Sequence, residues 1–122
     1  MGSQAKNIFG EPLEICSTSP MTGFYRNGCC ESGEEDKGSH TVCTVLSREF
    51  LLFSKATGND LMTPIPQLGF PGLQEGDRWC ICIDRWLEAR DQGVAPEVIL
   101  EATNEKILDH ISLEAIIAYA HK

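Results

Sequence analysis

Thiol chemistry is the first possibility this chain raises, because six of its 122 residues are cysteine. Cys29 and Cys30 are adjacent, Cys80 and Cys82 flank a single residue, and Cys16 and Cys43 stand apart. A vicinal pair seldom closes on itself, since the ring strains the peptide, but each member can pair elsewhere, bind a metal or attack as a thiolate. Attack needs a base or a neighbouring cation. His40 is a base for Cys29 or Cys30 if the fold brings it close, and Arg26 and Lys37 are the basic residues nearest in sequence. Against this stands the ordinary use of cysteine as a small buried hydrophobe.

Cys80-x-Cys82 lies in an extended stretch, where the two alpha carbons would be about 6.6 Å apart with parallel side chains, a poor start for a mutual disulfide. Core packing is the expectation for this pair. A structural zinc site wants four Cys or His ligands, usually in close pairs. His40-x-x-Cys43 has acceptable spacing, but residues three apart on a strand face opposite ways, so no metal ligand is assigned. Two carboxylates, Asp60 and Asp77, sit in a long glycine- and proline-rich connection beside Asn59 and Arg78. They suit acid-base or binding work, or serve as turn formers bonding their own backbone. No nucleophile elbow, phosphate loop, zinc-protease helix or dinucleotide fingerprint is present.

These residues need elements to hold them. Residues 69–86, GFPGLQEGDRWCICIDRW, run from a loop into a strand and on into a helix. Trp79, Ile81 and Ile83 alternate with Arg78, Cys80 and Cys82, which predicts a central strand covered on both faces. Asp84 is the expected N-cap of the helix that follows and Gly93 its stop. Upstream, HTVCTVL over residues 40–46 predicts a strand with His40, Val42, Thr44 and Leu46 on one face. Ser47 should cap a helix to about Thr57, ended by Gly58. A third strand is expected over residues 97–102, a short helix capped by Thr103, and a last helix capped by Ser112 with an Ile111–Ile116 staple. Residues 1–39 hold scattered turn formers and read as an irregular wrap, with the acidic run 31–36 as a solvated loop.

The whole is expected to be one α+β domain over residues 1–122. It comprises a three- or four-stranded sheet, parallel or mixed, with about four helices packed on it. With 42% hydrophobic and 23% charged residues the chain can supply a core of its own. A net charge of -8 disfavours nucleic acid and anionic membrane surfaces, and no apolar run is long enough to span a bilayer. The N-terminus lacks the apolar stretch of an export signal, so the expected address is cytoplasmic and the expected cysteine state is reduced.

Five stretches carry a family resemblance. EPLEICSTSPMTGFYRNGCC (11–30), HTVC (40–43), FSKATGNDLMTP (53–64), GFPGLQEGDRWCICIDRWLEA (69–89) and APEVILEAT (95–103) together resemble the bacterial domain of unknown function 2237. The resemblance covers nearly the whole chain and implies a compact single-domain bacterial protein without an assigned activity. It brings no catalytic residues. Two positions depart from the family pattern, Asn104 where histidine is expected and Ile15 where proline is expected, so residue 104 is left out of any site.

The structureless connection over residues 58–77 is longer than a compact domain usually carries without a binding role. The expectation is a small polar ligand beneath it, held by Asn59, Asp60, Asp77 and Arg78 against an apolar wall of Phe70 and Trp79, with no cofactor. The alternatives are a cysteine-dependent enzyme using Cys29 or Cys30 with His40, and a structural zinc or interaction module.

Overall fold

The structure is a computed structural model that describes residues 5–18, 21–23, 25–33 and 39–121. Phe24, Lys37 and residues 34–36 of the acidic run lie outside them. Among the described residues the elements are strand β1 (His40–Val45), helix α1 (Arg48–Ala56), strand β2 (Arg78–Cys82), helix α2 (Ile83–Asp91), strand β3 (Glu97–Val98) and helix α3 (Leu113–Ile117). Short 3-10 turns lie at Pro66–Leu68, Leu100–Ala102 and Glu105–Asp109.

The sheet has three strands in the order β2-β1-β3, and both pairings are antiparallel. The central strand is therefore β1, while β2, expected at the centre, is an edge strand. Its two faces are nonetheless both covered, as the alternation predicts. Trp79 and Ile81 join Val42, Leu46, Phe50 and Trp86 in the main apolar core, and Cys80 joins Cys16, Cys30, Cys43 and Ala102 in a second layer behind the sheet.

Local chemistry explains most element boundaries. Ser47 caps α1, its hydroxyl accepting from the Phe50 amide, and Gly58 follows the helix at φ 94°. Phe50, Leu51 and Ser54 form its buried face, while Thr57 is exposed. Ser112 caps α3 through the Ala115 amide, and Ile111 and Ile116 are both buried. Helix α2 begins two residues earlier than its carboxylate implies. Cys82 holds the capping position, and Asp84 lies in the first turn, where its negative charge is stabilised by the positive end of the helix dipole.

The expected strand over residues 97–102 is cut to two residues because a side chain takes over the ladder. The Thr103 hydroxyl accepts from the Cys43 amide at 3.2 Å and donates to the Ile99 carbonyl at 2.9 Å, turning the chain out of the sheet. Asn104, not Thr103, caps the 3-10 turn that follows, accepting from the Lys106 amide. The C-terminus then seals β3, with Val98 bonded to Tyr119 and His121 through the backbone.

The N-terminal segment is bound to the core rather than merely laid over it. Buried Asn7 donates to the Glu101 carbonyl and accepts from the amides of Phe9 and Glu11, and the Ile8 amide bonds the Thr103 carbonyl. Two disulfides complete the attachment: Cys16 to Cys43 on β1, and Cys30 to Cys80 on β2. This corrects the expectation of six reduced thiols, leaving Cys29 and Cys82 as the free cysteines. That expectation came from compartment, and compartment says nothing about which distant cysteines the fold makes neighbours.

Candidate functional site

A cavity of about 550 Å³ lies along β2, bounded by the 58–77 connection on one side and by Met21 and Arg26 of the N-terminal segment on the other. Its polar groups are Arg26, His40, Asn59 and Asp60, and its apolar wall includes Leu61, Ile65, Phe70 and Trp79. Four residues expected at a site, Asn59, Asp60, Phe70 and Trp79, are thus brought together. Asp77 and Arg78 do not line the cavity. Asp77 accepts from the Gln74 amide through its carboxylate and from the Leu46 amide through its carbonyl, which is the turn-forming role.

The connection is ordered by its own hydrogen bonds. Asp60 accepts from the Met62 and Thr63 amides and, at 2.6 Å, from the Thr63 hydroxyl. The Thr63 hydroxyl first, and the Met62 amide next, hold the Asp60 carboxyl below the usual range, so it enters the cavity as an anion. Ile65 and Phe70 pair across a tight turn. Gly72, at φ +78°, lies where a Cβ would come within 2.5 Å of the Met62 carbonyl oxygen, so only glycine lets the connection fold back here.

The opposite wall depends on a second close approach. A Cβ on Gly23, at φ +96°, would fall 2.3 Å from the Cys29 carbonyl oxygen. Arg26 follows at φ 54°, an uncommon conformation for a residue with a side chain. One guanidinium nitrogen donates to the Gly23 carbonyl at 2.8 Å, and the guanidinium carbon stands 5.2 Å from the centre of the Trp79 ring. Trp79 in turn meets Phe70 edge to face at 5.7 Å. A chain of contacts therefore joins the two walls: Arg26, Trp79, Phe70.

His40 reaches this cavity because of a β-bulge. The register pairs His40 with Cys82 and Val42 with Ile81, so Thr41 is the extra residue. Strict alternation puts His40 on the Val42 face. The bulge moves it to the face of Cys82 instead, and both line the cavity. Sequence reasoning missed Arg26 and Cys82 as cavity residues. The turn-rich stretch GFYRNG was the available signal for Arg26, and no signal marked the bulge.

The thiol-nucleophile alternative fares less well. Cys30 is bonded to Cys80 and is fully buried. Burial first, and the Glu31 carboxylate next, push the Cys29 thiol above its ordinary pKa, the wrong direction for an activated thiolate. Iodoacetamide should therefore label Cys29 more slowly than a free cysteine peptide at pH 8, read by mass spectrometry of the tryptic peptide. Faster labelling would restore Cys29 as a nucleophile.

Asn104, set aside at the sequence level, is a buried structural group. Its amide nitrogen donates to the Cys30 carbonyl at 3.1 Å and its oxygen caps the next turn. It ties the end of the N-terminal segment to the turn behind β1.

The sequence profile described as "Uncharacterized protein conserved in bacteria (DUF2237)" matches residues 6–120. The chain belongs to the DUF2237 family. No protein of curated function matches it. The DUF2237 match spans both disulfides and every cavity residue named above, so the family covers the site as well as the scaffold. Among the described residues no helix is long and apolar enough to cross a membrane.

Proposed function

We propose that this protein binds a small polar molecule with an apolar body in the cavity between the 58–77 connection and the Cys30-anchored segment. The observation that carries this reading is the cavity itself. Its volume falls in the range of small-molecule sites, and its lining combines apolar side chains with a few polar groups. Trp79 and Phe70 supply the wall on which an apolar or aromatic body would rest. Arg26 and Asp60 carry opposite charges, and Asn59 offers both a donor and an acceptor. Asp77 and Arg78, outside the lining, drop out of the proposed contact set.

The left-handed backbone at Arg26 supports the reading, since such conformations concentrate where a side chain must be aimed. The test is a thermal-shift screen of polar metabolite-sized compounds, followed by calorimetric titration of any hit. Arg26→Ala and Asp60→Ala should each weaken binding roughly tenfold or more, the weight of one hydrogen bond to a charged group. Glu114→Ala, on exposed α3, should leave it unchanged. Hits that bind both cavity variants as tightly as the parent would place the site elsewhere.

A further inference from the structure

Behind β2, on the face away from the main core, four cysteine sulfurs come from three separate parts of the chain. Cys16 and Cys30 belong to the N-terminal segment, Cys43 to β1 and Cys80 to β2. Cys43 and Cys80 are direct partners across the two strands, yet each is bonded to a cysteine of the N-terminal segment and not to the other. The sulfurs of Cys16, Cys30 and Cys80 all lie within 4.8 Å of one another, and Cys43 is bonded to Cys16. All four residues are at most 2% exposed.

We infer that in its reduced form this cluster is a four-thiolate site for a tetrahedral, thiophilic divalent cation, zinc above all. With Zn–S bonds of about 2.3 Å, the sulfurs of a tetrahedral site stand about 3.8 Å apart. The three mutually close sulfurs lie within reach of that spacing. The bonded pairs have alpha carbons 5.7 and 5.4 Å apart, and once the disulfides open, rotation about the Cα–Cβ bonds is the movement that would part the sulfurs and bring Cys43 toward the other three. The ligand set is also closed. Four sulfurs surrounded by Ala102 and Ile99 leave no position for water, which is the form of a structural site rather than a catalytic one. Cys43 stands outside the close trio and joins it through its bond to Cys16, whereas Cys29 and Cys82 have no such link.

The chemistry balances in two steps. A tertiary phosphine gives two electrons to each disulfide and takes oxygen from one water, so two phosphines yield four thiols and two phosphine oxides. The cation then accepts one sulfur lone pair from each cysteine as four protons leave to solvent, and the site becomes a dianion.

The test uses the full chain carrying Cys29→Ser and Cys82→Ser, so that every remaining thiol belongs to the cluster. After phosphine reduction and removal of the phosphine under argon, Co²⁺ is added as a spectroscopic stand-in. The expected result is one Co²⁺ per chain, with the intense visible bands and near-ultraviolet sulfur charge-transfer band of a tetrahedral tetrathiolate, displaced by one equivalent of Zn²⁺. The unreduced protein should show none of this. Adding Cys16→Ser should weaken and shift the spectrum, with circular dichroism reporting whether that variant folds. Weak octahedral cobalt bands in the reduced parent, or the same bands with and without Cys16, would overturn the assignment.

Discussion

Replacing Cys30 and Cys80 together by alanine is expected to cost about 4 kcal/mol of unfolding free energy, from the entropy a cross-link across 50 residues removes from the unfolded chain. The matching change at Cys16 and Cys43, which close 27 residues, should cost slightly less, about 3.5 kcal/mol. Both are large against the total of about 5–15 kcal/mol typical of a domain. Urea unfolding under non-reducing conditions measures each directly, and losses well under 1 kcal/mol would mean that the pairings do not hold in solution. The two losses should differ in their consequence for the site. Cys30 anchors the segment carrying Arg26 to Cys80 of the cavity wall, whereas Cys16 ties the preceding stretch to β1.

Trp86→Ala should lower stability by about 3–5 kcal/mol, the range for deleting a large buried aromatic. Trp86 is fully buried in the main core, and its indole nitrogen donates to the Pro96 carbonyl at 3.1 Å. Its ring also meets Tyr119 edge to face, with centroids 4.8 Å apart. It thereby holds α2, the approach to β3 and the C-terminal segment in one contact. Trp86→Phe keeps most of the apolar volume and loses the hydrogen bond, so it should cost clearly less than the alanine. Trp79 remains in both variants as the fluorescent reporter. Equal losses for the two would mean that the Pro96 hydrogen bond, and not the packing of the ring, sets the energy of this position.

How much of this was legible beforehand differs by the range of the interaction. The strand at residues 40–46 and the helix after Ser47 follow from period and a capping residue, which act over a few positions, and the passage from strand β2 into helix α2 follows from period alone, its cap being Cys82 and not the expected Asp84. The two-faced burial of β2 was equally readable from alternation. What was not readable depends on partners far away in the chain. Thr103 ends β3 because its hydroxyl reaches Cys43, 60 residues earlier. β1 became central because β2 and β3 flank it, an ordering no local pattern encodes. The cysteine pairings span 27 and 50 residues, and no spacing rule picks them from six candidates.

The site shows the same division. The 58–77 connection could be singled out by its length and composition, and Asn59, Asp60, Phe70 and Trp79 do line one cavity. Asp77 and Arg78 were expected there because the long connection delivers charged residues to the edge of a buried strand. Asp77 instead bonds its own turn, and Arg78 is exposed at the start of the strand. Arg26 was noticed only as a cation near the thiols, and His40 as a base for them or a zinc ligand with Cys43. A left-handed residue and a one-residue bulge bring them to the cavity, and both are backbone events that composition does not announce.

The most direct test of the binding cavity is a two-dimensional ¹H–¹⁵N correlation spectrum of the oxidised protein, recorded with and without each hit from the ligand screen. If the cavity is the site, the perturbed signals will cluster on the Trp79 indole and the amides of Arg26, Asn59, Asp60 and Phe70, while the Trp86 indole stays unmoved. Shifts confined to other surfaces, with the Trp79 indole unchanged at saturating ligand, would contradict the account.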